Sequence, residues 1–443
     1  MDPYKDLVDR QRQFFKTGAT RSLNARRETL LTLKQMLEAH RNDIAAAIYE
    51  DIGRDPSFEI AGAVNDTNDL LEKLDTWNAL VEVPKPLHLQ DDDEVLMVTE
   101  PLGVVLVIAA WNFPLVTSMP LASALAGGNT VVLKLSECAP SFSTVFAGLV
   151  QQYFDKNVFA AVEGDVPVAS ALLSQRFDHI MYTGNPTVGR IVMSAASEDL
   201  TPVTLLLGGK NPVLVEPDAD LDDAAKKIIV SKTLNCGQTC LAADYVITTE
   251  AVLHALLTAL VKNFEAMAPF KGNRSFSRII NEKHFERLSS LLFSTRGTLV
   301  YKAVEAPNKE DKFIPPYVLL VKEDDPLMKD EIFGPILPVI KVKSFDHAID
   351  FIKRREKPLG AYIFTKDHEK VRRFLQETSS GGVTVNDVMT HGFVDTLPFG
   401  GVGNSGMGRL SGKYGFSNFV HEKAVLIRDG IGRKVIEELQ SNV

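Results

Sequence analysis

Cysteine is scarce in this chain: Cys138, Cys236 and Cys240 are the only three among 443 residues. So few cannot form a stabilising disulfide framework, and a reducing compartment suits them better. No lysine- or arginine-rich run occurs and the formal net charge is −9, so the basic footprint of a nucleic-acid partner is missing. The N-terminus, MDPYKDLVDRQRQFF, is charged from its second residue and lacks the apolar core of a signal peptide. Internal repeats and low-complexity tracts are also missing. What is there is an ordinary soluble composition, 45% apolar and 24% charged. The length predicts two or three domains.

One stretch, residues 101–133, carries no charge at all, and its length alone would permit a membrane span. Asn112, Pro114, Pro120 and the Gly127–Gly128 pair break it, however. The pattern predicts a strand at 104–110, a helix opened by Pro114 and a strand at 130–134, which together make a buried βαβ unit. Upstream, residues 3–75 are predicted helical, with one helix ending near Gly53 and another over 58–80. The segment VPKPLHLQDDDEVLMVTEPLG breaks helical periodicity with prolines and acidic residues and reads as an extended arm or hairpin. From 101 to 206 strands alternate with helices, and a second alternating series runs from 211 to about 385. The fold class is therefore α/β, built on parallel sheets.

Several residues are candidates for chemistry. In NCGQTCLAADYVI, Cys240 lies on a connection between a helix and a strand, where it is either a nucleophile or an inert buried thiol. Cys236 is nearby, but no histidine or third cysteine accompanies the pair at zinc-ligand spacing. Asn112 follows an apolar strand directly and is either a helix N-cap or an oxyanion donor. Lys134 and Glu137 stand at a strand end, where nucleotides bind parallel sheets, and read as ribose ligands or solvated loop charges. HIMYTGNPTVGRIVMSAA has the form strand, turn, helix, and its helix N-terminus suits a dinucleotide's phosphates. Gly184 and Gly189 there lack the middle glycine of GxGxxG. The formal match at 401–406 follows Pro-Phe rather than a strand, which makes it a decoy. Glu331, before a Gly–Pro turn, is a ribose ligand or a surface charge.

The order of WNFP (111–114), KLSE (134–137), YTGN (182–185), LGGKNP (207–212), GQTC (237–240), EIFGP (331–335) and PFGGVGNSGMG (398–408) resembles the aldehyde dehydrogenase superfamily from about residue 5 to 425. The likeness is strongest to its class 3 branch, dimeric enzymes acting on fatty and aromatic aldehydes. The resemblance implies a Rossmann-type NAD(P)-binding domain (1–78 and 101–206) and an α/β catalytic domain (207–397). The remainder, 79–100 and 398–443, would be an oligomerisation arm with a C-terminal tail. It implies Cys240 as nucleophile, with Asn112 and the Cys240 N–H as oxyanion hole. Lys134 and Glu137 would hold the adenosine ribose and Glu331 the nicotinamide ribose, with Phe333 beside the nicotinamide. Trp111, Thr183, Gly184, Asn185, Gly189, Leu207 and Gly208 complete the expected cofactor set. NAD is expected, since a carboxylate such as Glu137 disfavours a 2′-phosphate; class 3 enzymes nevertheless include users of NADP. A homodimer in the cytoplasm is implied, with peripheral membrane contact left open.

One departure bears on turnover. The family pattern at 204–210 is Thr-Leu-Glu-Leu-Gly-Gly-Lys, and here Leu206 takes the place of the glutamate that activates the hydrolytic water. Leucine neither accepts a proton nor orients a water, so deacylation is expected to slow by about 10²–10⁴. Turnover is what that change puts in doubt; it also removes one possible proton acceptor for the Cys240 thiol. The alternatives are transfer of the acyl group to CoA, or a homologue that only binds nucleotide or aldehyde. A leucine introduced to trap the acyl intermediate would look the same. Finally, Ile431, Val435 and Leu439 are spaced as one face of a short helix, which either packs on the body or a partner subunit or covers the aldehyde tunnel.

Overall fold

A computed structural model describes residues 3–272, 276–428, 430–432 and 434–436. Four helices open the chain: Pro3–Lys16, Leu23–Ala39, Arg41–Ile52 and Ser57–Asn78. The second begins where the Ser22 hydroxyl accepts the Ala25 N–H at 3.2 Å, and the third stops at Gly53 in the left-handed region, φ 79°. The segment predicted as an arm forms β1 (Val81–Glu82) and β2 (Glu94–Pro101), paired antiparallel.

The charge-free stretch becomes β3 (Val104–Ile108), two short helices and β4 (Thr130–Lys134), with every residue of both strands buried. The predicted single helix is two, Pro114–Ser118 and Pro120–Ala126, because the second proline cannot continue the first helix. The strand stops at Ile108 rather than residue 110, since Thr117 Oγ1 takes over the backbone of Ala110, accepting from its N–H at 3.1 Å and donating to its carbonyl at 2.8 Å. Among the described residues no helix is long and apolar enough to cross a membrane.

Then follow β5 (Phe159–Val162), β6 (His179–Gly184) and β7 (Val203–Leu207). The parallel order β7-β6-β3-β4-β5 reverses direction at β3, and this reversal opens a crevice at the strands' C-terminal ends. The second series supplies β8 (Pro212–Val215), β9 (Tyr245–Thr249), β10 (Thr298–Lys302), β11 (Tyr317–Val321), β12 (Ile336–Val342), β13 (Gly360–Phe364) and β14 (Gly382–Val385). Their order is β10-β11-β12-β9-β8-β13-β14, parallel except for the β10–β11 edge.

The C-terminal segment serves both ends of the molecule. β15 (Gly406–Met407) pairs antiparallel with β7, directly opposite Leu206 and Leu205, and so joins the first sheet rather than the arm. β16 (Val420–Ile427) completes a three-stranded sheet with β1 and β2. Past it, Ile431 is exposed and the Val435 N–H reaches the Ile431 carbonyl at 3.4 Å. Leu439, the third member of the expected apolar face, lies outside the described residues.

Candidate active site

A cleft of about 1870 Å³ runs along the C-terminal ends of β3, β4, β6 and β7 and meets the second sheet's loops. Trp111, Asn112, Lys134, Glu137, Thr183, Gly184, Asn185, Leu206, Gly208, Cys240, Glu331 and Phe333 all line it. Gly189 and Leu207, expected among the cofactor ligands, do not. A Cβ on Gly189 would lie 3.0 Å from a Leu207 methyl, so this glycine lets the helix Pro186–Ser197 pack closely on β7 and is a packing position.

Cys240 sits just beyond a tight turn. Asn235, Cys236 and Gly237 have φ of 51°, 56° and 71°, three consecutive left-handed residues, two of which bear side chains. The loop is then pinned from outside: Asn211 Nδ2 donates to the carbonyls of Cys240 at 2.8 Å and Ala242 at 2.9 Å. The Tyr362 hydroxyl donates to the Leu241 carbonyl at 2.7 Å. Cys236 is fully buried, with its sulfur beside the Ile314 carbonyl. Asn112 is not an N-cap; Phe113 holds that position and makes no side-chain cap bond. Instead, Asn112 Nδ2 donates to the Gln238 carbonyl at 3.1 Å, leaving its second N–H for the cleft.

Burial pushes the Cys240 thiol up to about 12, and the Glu331 carboxylate adds to this, while the N–H groups of Cys240 and Leu241 pull it down. Glu331 is itself pushed up to about 8, first by burial and then by Asp244, against the Gly209 N–H, Lys210 and Lys232. Its placement requires glycine at 208, where a Cβ would stand 2.3 Å from Glu331 Oε2. Lys210 and Asp244, missed in the sequence as a pair, grip the chain on both sides of Glu331. Lys210 Nζ donates to the Asp330 carbonyl at 3.1 Å and pairs with Asp244, whose Oδ1 accepts the Ile332 N–H at 3.0 Å.

The two ionisations interact, which predicts a particular pH profile for alkylation of Cys240 in the cofactor-free protein. Below pH 8 Glu331 is largely neutral, and the rate should rise about tenfold per pH unit with the thiolate fraction. Around pH 8 the new carboxylate charge opposes the thiolate and the rise flattens, resuming its slope at a lower level above. Glu331→Gln should remove that bend. Coincident profiles, followed by mass spectrometry of the Cys240 peptide, would show the two groups to be independent.

Lys134 is buried, and its ammonium lies 3.6 Å from Glu137 Oε2 with burial lowering its pKa. Asn185 caps the helix Pro186–Ser197 by accepting the Val188 N–H at 3.0 Å. Trp111 packs edge-on against Phe333, centroids 5.4 Å apart, and at a tilt against His284, at 5.3 Å. Phe333 holds a left-handed φ of 50°. His284, whose pKa is lowered to about 4 by burial and by Arg287 and Lys283, was not foreseen. The helix Glu282–Ser294 that carries it has no local signal of function. Phe58, Phe113, Phe393 and Phe399 give the cleft an aromatic portion.

A thiol beside amide donors, in a crevice where a parallel sheet reverses, is the arrangement for acyl chemistry coupled to a dinucleotide. Comparison with known proteins agrees. A sequence model of the aldehyde dehydrogenase family matches residues 3–425. The chain is 41% identical to "Aldehyde dehydrogenase, dimeric NADP-preferring" of Rattus norvegicus, covering 97% of this chain and 95% of that protein. It is also 41% identical to "Aldehyde dehydrogenase family 3 member A2" of Mus musculus, covering 97% and 89%. A solved structure described as the substrate-bound state of Staphylococcus aureus AldH superposes with a TM-score of 0.94 at 36% identity, over 97% of this chain and 95% of that one. On its sequence, its fold and the contents of its cleft, the chain belongs to the aldehyde dehydrogenase family.

Proposed function

We propose that this protein oxidises medium- or long-chain aliphatic or aromatic aldehydes with NAD(P)+, forming an acyl thioester on Cys240 that Leu206 leaves slow to hydrolyse. The observation that carries this reading is the convergence of Cys240, Asn112, Lys134, Glu137, Glu331 and Phe333 on one cleft. The aromatic portion suits an apolar substrate tail.

The residues present fit a dinucleotide. Buried Lys134 with Glu137 would hold the adenosine ribose, and the capped N-terminus at Asn185 would face the phosphates. Glu331 would hold the second ribose, and Phe333 with Trp111 would flank the nicotinamide. When bound, the cofactor supplies the acceptor for the hydride leaving the substrate carbon. The protein does the rest. As the thiolate, its proton given up to solvent, the Cys240 sulfur adds to the carbonyl carbon, and the oxygen's growing charge is met by Asn112 Nδ2 and the Cys240 N–H. Loss of hydride leaves a thioester, and water must then cleave it. Leu206, on the cleft wall, offers no lone pair for that step.

The first sheet with the N-terminal helices would form the cofactor domain, the second sheet the catalytic domain, and β1, β2 and β16 the arm of a homodimer. The three free cysteines fit a cytoplasmic setting. Relatives named as NADP-preferring place NADP beside NAD as a candidate cofactor. Leu206 also favours a second reading, acyl transfer to CoA, because a thiol acceptor needs less activation than water.

The test is intact mass spectrometry with NADH absorbance after mixing protein, NAD+ and a medium-chain aldehyde. A burst of about one NADH per subunit with an acyl mass on Cys240 is expected. Discharge of that mass by CoA would favour the second reading. Neither NADH nor adduct would leave a protein that only binds nucleotide or aldehyde.

A further inference from the structure

Behind the cleft wall, Arg54 and Glu59 form an ion pair that is essentially inaccessible, 2% and 0% exposed. Such a pair is held in a protein interior only at a desolvation cost, and nothing in the steps above uses it. Its contacts converge on the reacting groups' supports. Arg54 Nε donates to Asn235 Oδ1 at 3.0 Å, and Nη2 donates to the backbone carbonyl of Asn112 at 3.3 Å. Asn235 in turn donates to that same Asn112 carbonyl at 2.8 Å and to the Gln238 carbonyl at 3.0 Å. Asn235 is also the first of the three left-handed residues leading to Cys240. The guanidinium lies 4.6 Å from the Phe113 ring centroid, and Glu59 Oε2 accepts the Val116 N–H at 3.4 Å.

We propose that Arg54, charge-balanced by Glu59, is a positioning residue that locks Asn112 to the Asn235–Cys240 turn and so sets the geometry of the oxyanion hole. The planar guanidinium suits this because it reaches Asn235, Asn112 and Glu59 from one rigid fork. The inference rests on the roles proposed for Cys240 and Asn112.

Removing one partner alone would strand a buried charge. The test therefore uses Arg54→Met with Glu59→Gln, in the native background and with Asn112→Ala. Asn112 O and Asn235 Oδ1 keep other donors in that variant, Asn235 Nδ2 and the Ser277 hydroxyl. The readouts are the single-turnover rate of NADH formation at saturating aldehyde and the Kd for NAD+. The pair should slow NADH formation by about 10- to 30-fold, leave Kd within about twofold, and cost less than about threefold once Asn112 is alanine. An equal loss in both backgrounds, or no loss in the native one, would overturn the positioning role. Asn112→Ala leaving the rate untouched would instead remove the oxyanion-hole reading beneath it. Arg54→Lys keeps the charge but not the fork, and should also slow NADH formation; it serves where the double variant does not fold.

Discussion

Leu206→Glu is expected to raise steady-state turnover by about 10²–10⁴, the range for a positioned general base, and to abolish accumulation of acyl enzyme. Leu206 is held on β7 between Thr183 of β6 and Gly406 of β15, 7% exposed and facing the cleft. A carboxylate there would be only partly solvated, and partial burial moves a glutamate's pKa toward neutrality, where a base works best. The measurement pairs steady-state NADH production with the mass of the trapped intermediate. Leu206→Gln is the control of matching shape without basicity, and should leave turnover low. If adduct still accumulates in the glutamate variant and turnover does not change, water activation is not what limits this protein.

The second large effect is expected at Asn112. Asn112→Ala should slow the NADH burst by about 10²–10³, the loss typical of one oxyanion-hole donor. The fold should survive, because the Gln238 carbonyl that Asn112 contacts also accepts from Asn235 Nδ2 at 3.0 Å. Binding of NAD+, measured separately, should be little changed, since the Asn112 amide bonds the Gln238 carbonyl, two residues from Cys240. A burst rate equal to that of the unaltered protein would mean the charge is carried by the backbone alone.

Much of the architecture is legible locally. Short runs rich in β-branched residues, such as VVLVI and TVVLK, bounded by turn signals, read as buried strands, and their alternation with helices points to the α/β class. The ends of elements are less legible. Residue 110 reads as strand until Thr117 captures its backbone, and Asn112 reads as an N-cap until Phe113 is found in that place. Gly189 reads as part of a phosphate loop, whereas it makes room for Leu207. In each case a residue distant in sequence claims the group or the space, Thr117 for residue 110, the Gln238 carbonyl for the Asn112 amide and Leu207 for Gly189, and spacing alone does not rank such competitors.

The residues themselves determined the family: seven motifs in order, and the leucine at 206, directly before LGGKNP. The tertiary structure alone decided how they interact. It placed Glu331 against Gly208 and within electrostatic reach of Cys240, set Gly406 opposite Leu206, and buried Arg54 with Glu59 behind Asn112. The physical reason is that types and spacings are written along the chain. Desolvation, hydrogen-bond partners and charge–charge coupling depend instead on distances between segments that only packing brings together.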